Sequence, residues 1–120
     1  MKASIWTQYF PDLMPEEKIP LIRQCGFESI ELSDEDGKEL LSRGGEAAAG
    51  AFLKHLDDME MVQGHLKLPY TPDEDLCGEN SAREIEILKR WIALFQALHI
   101  KNMILHIGGK HFVGSKEALL

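Results

Sequence analysis

Apolar and polar positions follow two different periods along this chain. Short runs rich in Ile, Val, Leu and aromatic residues recur at residues 3–9, 27–33, 61–68 and 102–107, and each ends at a proline, a glycine or a polar turn. Such runs predict strands. The segments between them repeat apolar residues at three- and four-residue steps, the period of a helix that buries one face. A first helix is predicted over residues 15–25, with Pro15 suited to its first turn, Gly26 as its stop, and Ile19, Ile22 and Cys25 forming one stripe. Pro20 falls inside it and predicts a kink or a late start. A second helix is expected over residues 46–59, with Ala47, Phe52, Leu53 and Leu56 on its buried side. The best-defined helix opens at Ser81, where Ser81-Ala82-Arg83-Glu84 fits a capping box. Ile85, Leu88, Trp91, Ile92, Phe95 and Leu98 then form its stripe, and Glu86 and Arg90 can pair on its outer face.

The stretches left over read as connections. Residues 34–45 are expected to be loop with one helical turn near 38–41, residues 69–78 a polar loop, and residues 112–120 a loop entering another helix. The resulting order is βαβαβαβ, at roughly thirty to forty residues per βα unit, which predicts a parallel α/β sheet or part of a barrel. Four strands cannot close a barrel, so an open edge would present unpaired backbone groups.

Composition narrows the setting. The chain has 120 residues, 44% hydrophobic and 28% charged, as expected of one small globular domain rather than a disordered segment. Its net charge of −7 disfavours nucleic acid or an anionic membrane as a partner. Cys25 and Cys77 have no paired spacing and read as reduced thiols. The start has no long apolar stretch of a signal peptide, and no window reaches the length of a membrane span, so a cytoplasmic location is expected.

The candidate chemistry lies at strand ends. His65 and His106 each sit near the C-terminal end of a predicted strand, just before Pro69 and Gly108 respectively. Parallel sheets place their sites at that edge, so the two histidines point toward one pocket. Each can hydrogen-bond a ligand hydroxyl, shuttle a proton or bind zinc; the structural alternative is an interior histidine bonded to a backbone carbonyl. Glu31 interrupts an apolar strand and needs a partner there, either a pocket hydroxyl or an ion pair with Lys67. Trp6 is either core or an aromatic wall for the apolar face of a ligand. Gly108-Gly109-Lys110 and Gly114-Ser115-Lys116 lack P-loop spacing, and Asp73-Glu74-Asp75 lacks that of a calcium loop. His55, His99 and His111 read as surface, capping or loop residues.

Ser4-Ile5-Trp6-Thr7-Gln8-Tyr9-Phe10-Pro11, followed by Cys25-Gly26-Phe27-Glu28-Ser29-Ile30-Glu31-Leu32, resembles the opening of the xylose-isomerase-like TIM barrels. His65 in the third strand and His106-Ile107-Gly108 in the fourth fit the same pattern. The resemblance implies that residues 1–120 are a single partial domain, the N-terminal half of a (β/α)8 barrel. It implies a parent activity of sugar or sugar-phosphate isomerisation or epimerisation, with a divalent metal ion (Mn, Mg, Co or Zn) held mainly by the second half. His65, His106, Glu31, Trp6 and Lys67 would then contact substrate, and the 120-residue chain alone would not catalyse. Two other readings stay open. An apurinic-site endonuclease of the same superfamily would use His65 and His106 as zinc ligands, and the acidic balance counts against it. A non-catalytic half-barrel would cover its edges as a homo-oligomer. The sequence departs from the family at Pro20 and where Leu98-His99-Ile100 leads into the fourth strand, a place where a glycine or small turn residue is usual.

Overall fold

A computed structural model describes residues 3–66, 76 and 80–105. Four strands form its sheet: β1 (Ser4–Trp6), β2 (Ser29–Leu32), β3 (Glu60–Leu66) and β4 (Met103–Leu105). Four helices accompany them: α1 (Pro15–Gln24), α2 (Asp34–Ser42), α3 (Glu46–Leu56) and α4 (Ser81–Ala97). A single 3-10 turn, Thr7–Tyr9, follows β1, where the sequence predicts continued strand. The strands lie in the order β1-β2-β3-β4, and every neighbouring pair is parallel. Sequential parallel strands joined by helices make the βα arrangement that the spacing predicts.

The core lies between the sheet and its helices. Ile30 and Leu32 of β2 and Met61 and Leu66 of β3 meet Ile19 and Ile22 of α1, Phe52 and Leu56 of α3, and Trp91 and Phe95 of α4. Each such side chain, fully buried, contributes about 1.5–3 kcal/mol.

The predicted loop over residues 34–45 holds a helix instead. Ser33 caps α2, its Oγ accepting from the Asp36 N–H at 3.1 Å, and Asp34, Glu35 and Asp36 place negative charge at the positive end of the helix dipole. The order is therefore βαβααβαβ. The run of acids that resembled a solvated loop is a helix start.

Several helix faces differ from their predicted stripes. In α1 the buried set is Pro15, Lys18, Ile19 and Ile22, while Cys25 is exposed. The helix begins at Pro15 and runs through Pro20, which faces solvent, so the late start does not occur. In α3 Ala49 is buried and Ala47 is exposed. In α4 Ile85 and Ile92 are 46% and 38% exposed, and Leu94 takes the buried place between Trp91 and Phe95. Its N-cap is Asn80 rather than Ser81, so the predicted capping box does not form. Glu84 is instead fully buried, with the Arg83 Nε 3.6 Å from its carboxylate. Glu86 pairs with Lys89 at 2.9 Å rather than with Arg90.

His99 explains its own departure from glycine. The His99 N–H donates to the Gln96 carbonyl and the Ile100 N–H to the Phe95 carbonyl, which is the Schellman ending of α4. This ending needs a left-handed residue, and His99 supplies it at φ 61° at a cost of about 1 kcal/mol. Gly26 closes α1 in the same way with φ 88°.

Helix α4 is seated by two missing side chains. A Cβ on Gly37 would lie 2.4 Å from the Trp91 ring, and one on Gly64 would lie 2.7 Å from the Phe95 ring. The two rings themselves meet edge to face at 5.7 Å. Gly64→Ala is expected to lower stability by about 1–3 kcal/mol in urea denaturation, because the ring must shift within a packed core. Gly50→Ala, where a Cβ meets nothing within 4 Å in the exposed face of α3, is expected to raise it by roughly 0.5–1 kcal/mol.

Candidate functional site

The sheet has a second face, away from the helices, and its residues follow from register. Trp6 of β1 lies beside Glu31 of β2, and Glu31 beside Gln63 of β3. The pairing of β2 with β3 shifts by one residue after Ile30, so Val62 is extra and Gln63, not Val62, stands next to Glu31. His65, two residues on, shares the face of Gln63, and Ile104 of β4 lies in register with it.

Three of the sequence-predicted site residues therefore converge. The His65 Nε2 lies 3.4 Å from a Glu31 carboxylate oxygen, and the two side chains are 26% and 30% exposed. The Trp6 ring lies 6.0 Å from the His65 imidazole, centre to centre, and 6.2 Å from Tyr9 in an edge-on contact. Tyr9 is 71% exposed at the rim. Glu31 thus finds its partner in His65, where the sequence left Lys67 or a ligand hydroxyl as alternatives. Lys67 and His106 lie outside the described residues, as do the glycine-rich segments, His111 and the acidic run at 73–75. His55 and His99 are exposed, as expected.

The chemistry of this face is that of a polar site with one aromatic wall. At 3.4 Å the Glu31–His65 contact is long for a hydrogen bond, so both groups keep capacity for another partner. The Trp6 Nε1 and the Gln8 Oε1 are buried and make no hydrogen bond among the described residues. A donor and an acceptor left in this state are costly unless something else meets them.

Beneath the site runs a network that sequence reasoning missed. The Ser33 N–H donates to the Thr7 Oγ1 at 2.9 Å, tying the end of β2 to the turn after β1. Ser33 caps α2 through the Asp36 N–H, and the Asp36 carboxylate accepts from the Lys18 Nζ at 2.8 and 2.9 Å. Both charged side chains are almost fully buried, 1% exposed for Lys18 and 6% for Asp36. Two signals were present: the Ser33-x-x-Asp36 spacing of a capping box, and a lysine one residue before Ile19 in the buried stripe of α1. At the outer side of the same turn, partial desolvation and then the Asp34 carboxylate hold the Glu35 carboxyl above its ordinary pKa.

The enclosed space lies elsewhere. A cleft of about 360 Å³ lies at the N-terminal ends of β3 and β4, between Leu56, Asp57, Met61, Leu98, His99 and Lys101. Trp6, Glu31 and His65 do not line it. Among the described residues no group of three or more His, Cys, Asp or Glu side chains is placed to hold a metal ion, and Glu31 and His65 offer only two donors that already face each other. No described helix is long and apolar enough to cross a membrane.

Lys18→Met, which leaves Asp36 buried and unpaired, is expected to cost about 3–5 kcal/mol in urea denaturation. The double change Lys18→Met/Asp36→Leu is expected to recover most of that loss.

The chain matches no protein-family profile and no curated protein sequence. Among solved structures, it is similar to a crystal structure of D-psicose 3-epimerase in the presence of D-fructose, with a TM-score of 0.66 at 18% identity. That likeness covers 89% of this chain and 37% of the epimerase chain. The fold is therefore the one the resemblance implies: parallel βα units arranged as in part of a TIM barrel, with Trp6, Glu31 and His65 on the sheet face away from the helices.

Proposed function

We propose that this chain is part of a sugar or sugar-phosphate isomerase or epimerase, and that its share of the work is to bind and orient the sugar. The observation that carries the proposal is the convergence of Trp6, Glu31 and His65 on one half-exposed face of a parallel sheet. A sugar offers a ring of hydroxyls and a patch of C–H bonds. The Trp6 ring suits the C–H patch, Glu31 accepts from hydroxyls, and the imidazole of His65 donates or accepts according to its tautomer. The similarity to an epimerase crystallised with D-fructose supports a sugar ligand over other polar molecules.

The described residues hold neither a metal set nor a second carboxylate beside Glu31, so no proton-transfer step is assigned to them. On this reading the metal and the base that move the substrate proton belong to strands beyond β4, and the 120-residue chain binds sugar without turning it over.

Titration calorimetry with ketohexoses and their phosphates tests the binding. Saturable binding is expected, weakened about tenfold by Glu31→Gln or His65→Ala, equivalent to ~1.4 kcal/mol. No heat with any of these sugars would overturn the proposal. In an epimerase assay with added divalent metal the chain alone is expected to show no turnover, and robust conversion would mean that the 120 residues contain the catalytic base after all.

A further inference from the structure

We propose that the cleft at the N-terminal ends of β3 and β4 is a second binding site, and that it takes a small apolar amino acid. Its volume, about 360 Å³, falls at the small end of the roughly 300–1,000 Å³ range of ligand pockets. One wall is the turn from α3 into β3, and the other is the turn from α4 into β4. All the lining residues belong to α3, β3 and these two turns, so the cleft needs no strand beyond β4 to complete it.

Backbone geometry singles this cleft out. Among the described residues, only Asp57 at φ 55° and His99 at φ 61° are non-glycine residues with positive φ. Both line the cleft, one from each wall. Asp57, with ψ −112°, opens a turn that the Met59 N–H closes onto the Leu56 carbonyl at 2.9 Å, and that position favours glycine. Glycine would relax either turn, as Gly26 does after α1. Each turn instead carries a polar side chain to the rim of the cleft. Strain of this kind collects at ligand clamps.

The charges select what fits between the walls. Asp57 and Glu60 lie on the first wall, and Lys101 stands with His99 on the second. The side chains of Asp57, His99 and Lys101 are exposed and make no ion pair or hydrogen bond among the described residues. Leu56, Met59, Met61 and Leu98, all buried, form an apolar floor. A phosphate or a dicarboxylate would meet the carboxylates of the first wall, and a diamine would meet Lys101. An apolar amino acid satisfies all three surfaces. Its ammonium faces Asp57, its carboxylate faces Lys101, and its side chain lies on the floor, where two methionines adapt to its shape. The second wall is held in place, because the Asn102 amide nitrogen donates to the Val62 carbonyl at 3.3 Å.

Titration of the isotope-labelled 120-residue chain with L-leucine, followed by NMR, tests the assignment. Saturable shifts are expected at the amides of residues 57–62 and 98–102. Isocaproate, which lacks the ammonium, and isoamylamine, which lacks the carboxylate, are each expected to bind about tenfold more weakly, equivalent to ~1.4 kcal/mol. Lys101→Met should weaken L-leucine by a similar factor. Asp57→Gly separates ligand from fold: binding should weaken while the urea midpoint rises, because the turn relaxes. D-fructose is expected not to displace L-leucine, since the sugar face lies at the other end of the strands. The absence of saturable shifts with L-leucine would overturn the proposal. Equal binding of the two single-charge analogues, undiminished binding by Asp57→Gly, or displacement by D-fructose would do the same. Nothing in this site draws on the sugar reading, so a chain that binds L-leucine and no sugar would sink that reading alone.

Discussion

A lysine ammonium and an aspartate carboxylate, both out of water, govern the architecture around the site. Lys18 approaches Asp36 through both carboxylate oxygens, and neither side chain has solvent to fall back on. Two such charges stay buried only while they stay together. Holding them together fixes the first turn of α2 against α1. The first turn of α2 fixes Ser33, and Ser33 holds Thr7. Trp6 immediately precedes Thr7 and Glu31 comes two residues before Ser33, so the ends of β1 and β2 inherit their spacing from an ion pair that touches neither of them.

The site itself is built more loosely. Its polar contact, between His65 and Glu31, is long, and those two side chains keep a quarter or more of their surface open. This contrast suits a binding face on a rigid base: the support is over-determined, and the groups that meet a ligand remain free to reorganise around it. It also fits the placing of the 360 Å³ cleft at the other end of the strands. A pocket in a barrel is a property of the closed ring, whereas four strands present only its wall.

Strand positions, the parallel order and the convergence of Trp6, Glu31 and His65 were legible because they depend on short-range pattern: apolar runs, their breakers and where a polar residue interrupts them. What escaped was set at longer range. The helix over Asp34–Ser42 opens on three acids and contains a glycine, which lowers its apparent helicity, and it is held by a cap and by packing of Gly37 under Trp91. The partner of Asp36 comes from another helix, eighteen residues away, and no local pattern announces it. Helix α4 presents Leu94 inward and Ile85 outward although both are apolar, so periodicity alone could not choose between two neighbouring stripes.

The one-residue slip between β2 and β3 has a further meaning. In a strand, odd and even positions belong to different worlds, one under the helices and one on the open face. Up to Met61 the chain counts in step with β2, and after Val62 it counts in the opposite parity. That change of parity gives Gly64 and Leu66 to the packed layer and His65 to the open one. The site is thus encoded in the length of β3 as much as in its residues. Were the slip ironed out with Val62 paired to Glu31, the two layers would be exchanged, placing an imidazole beneath the helices and a leucine on the open face without altering any residue of the site.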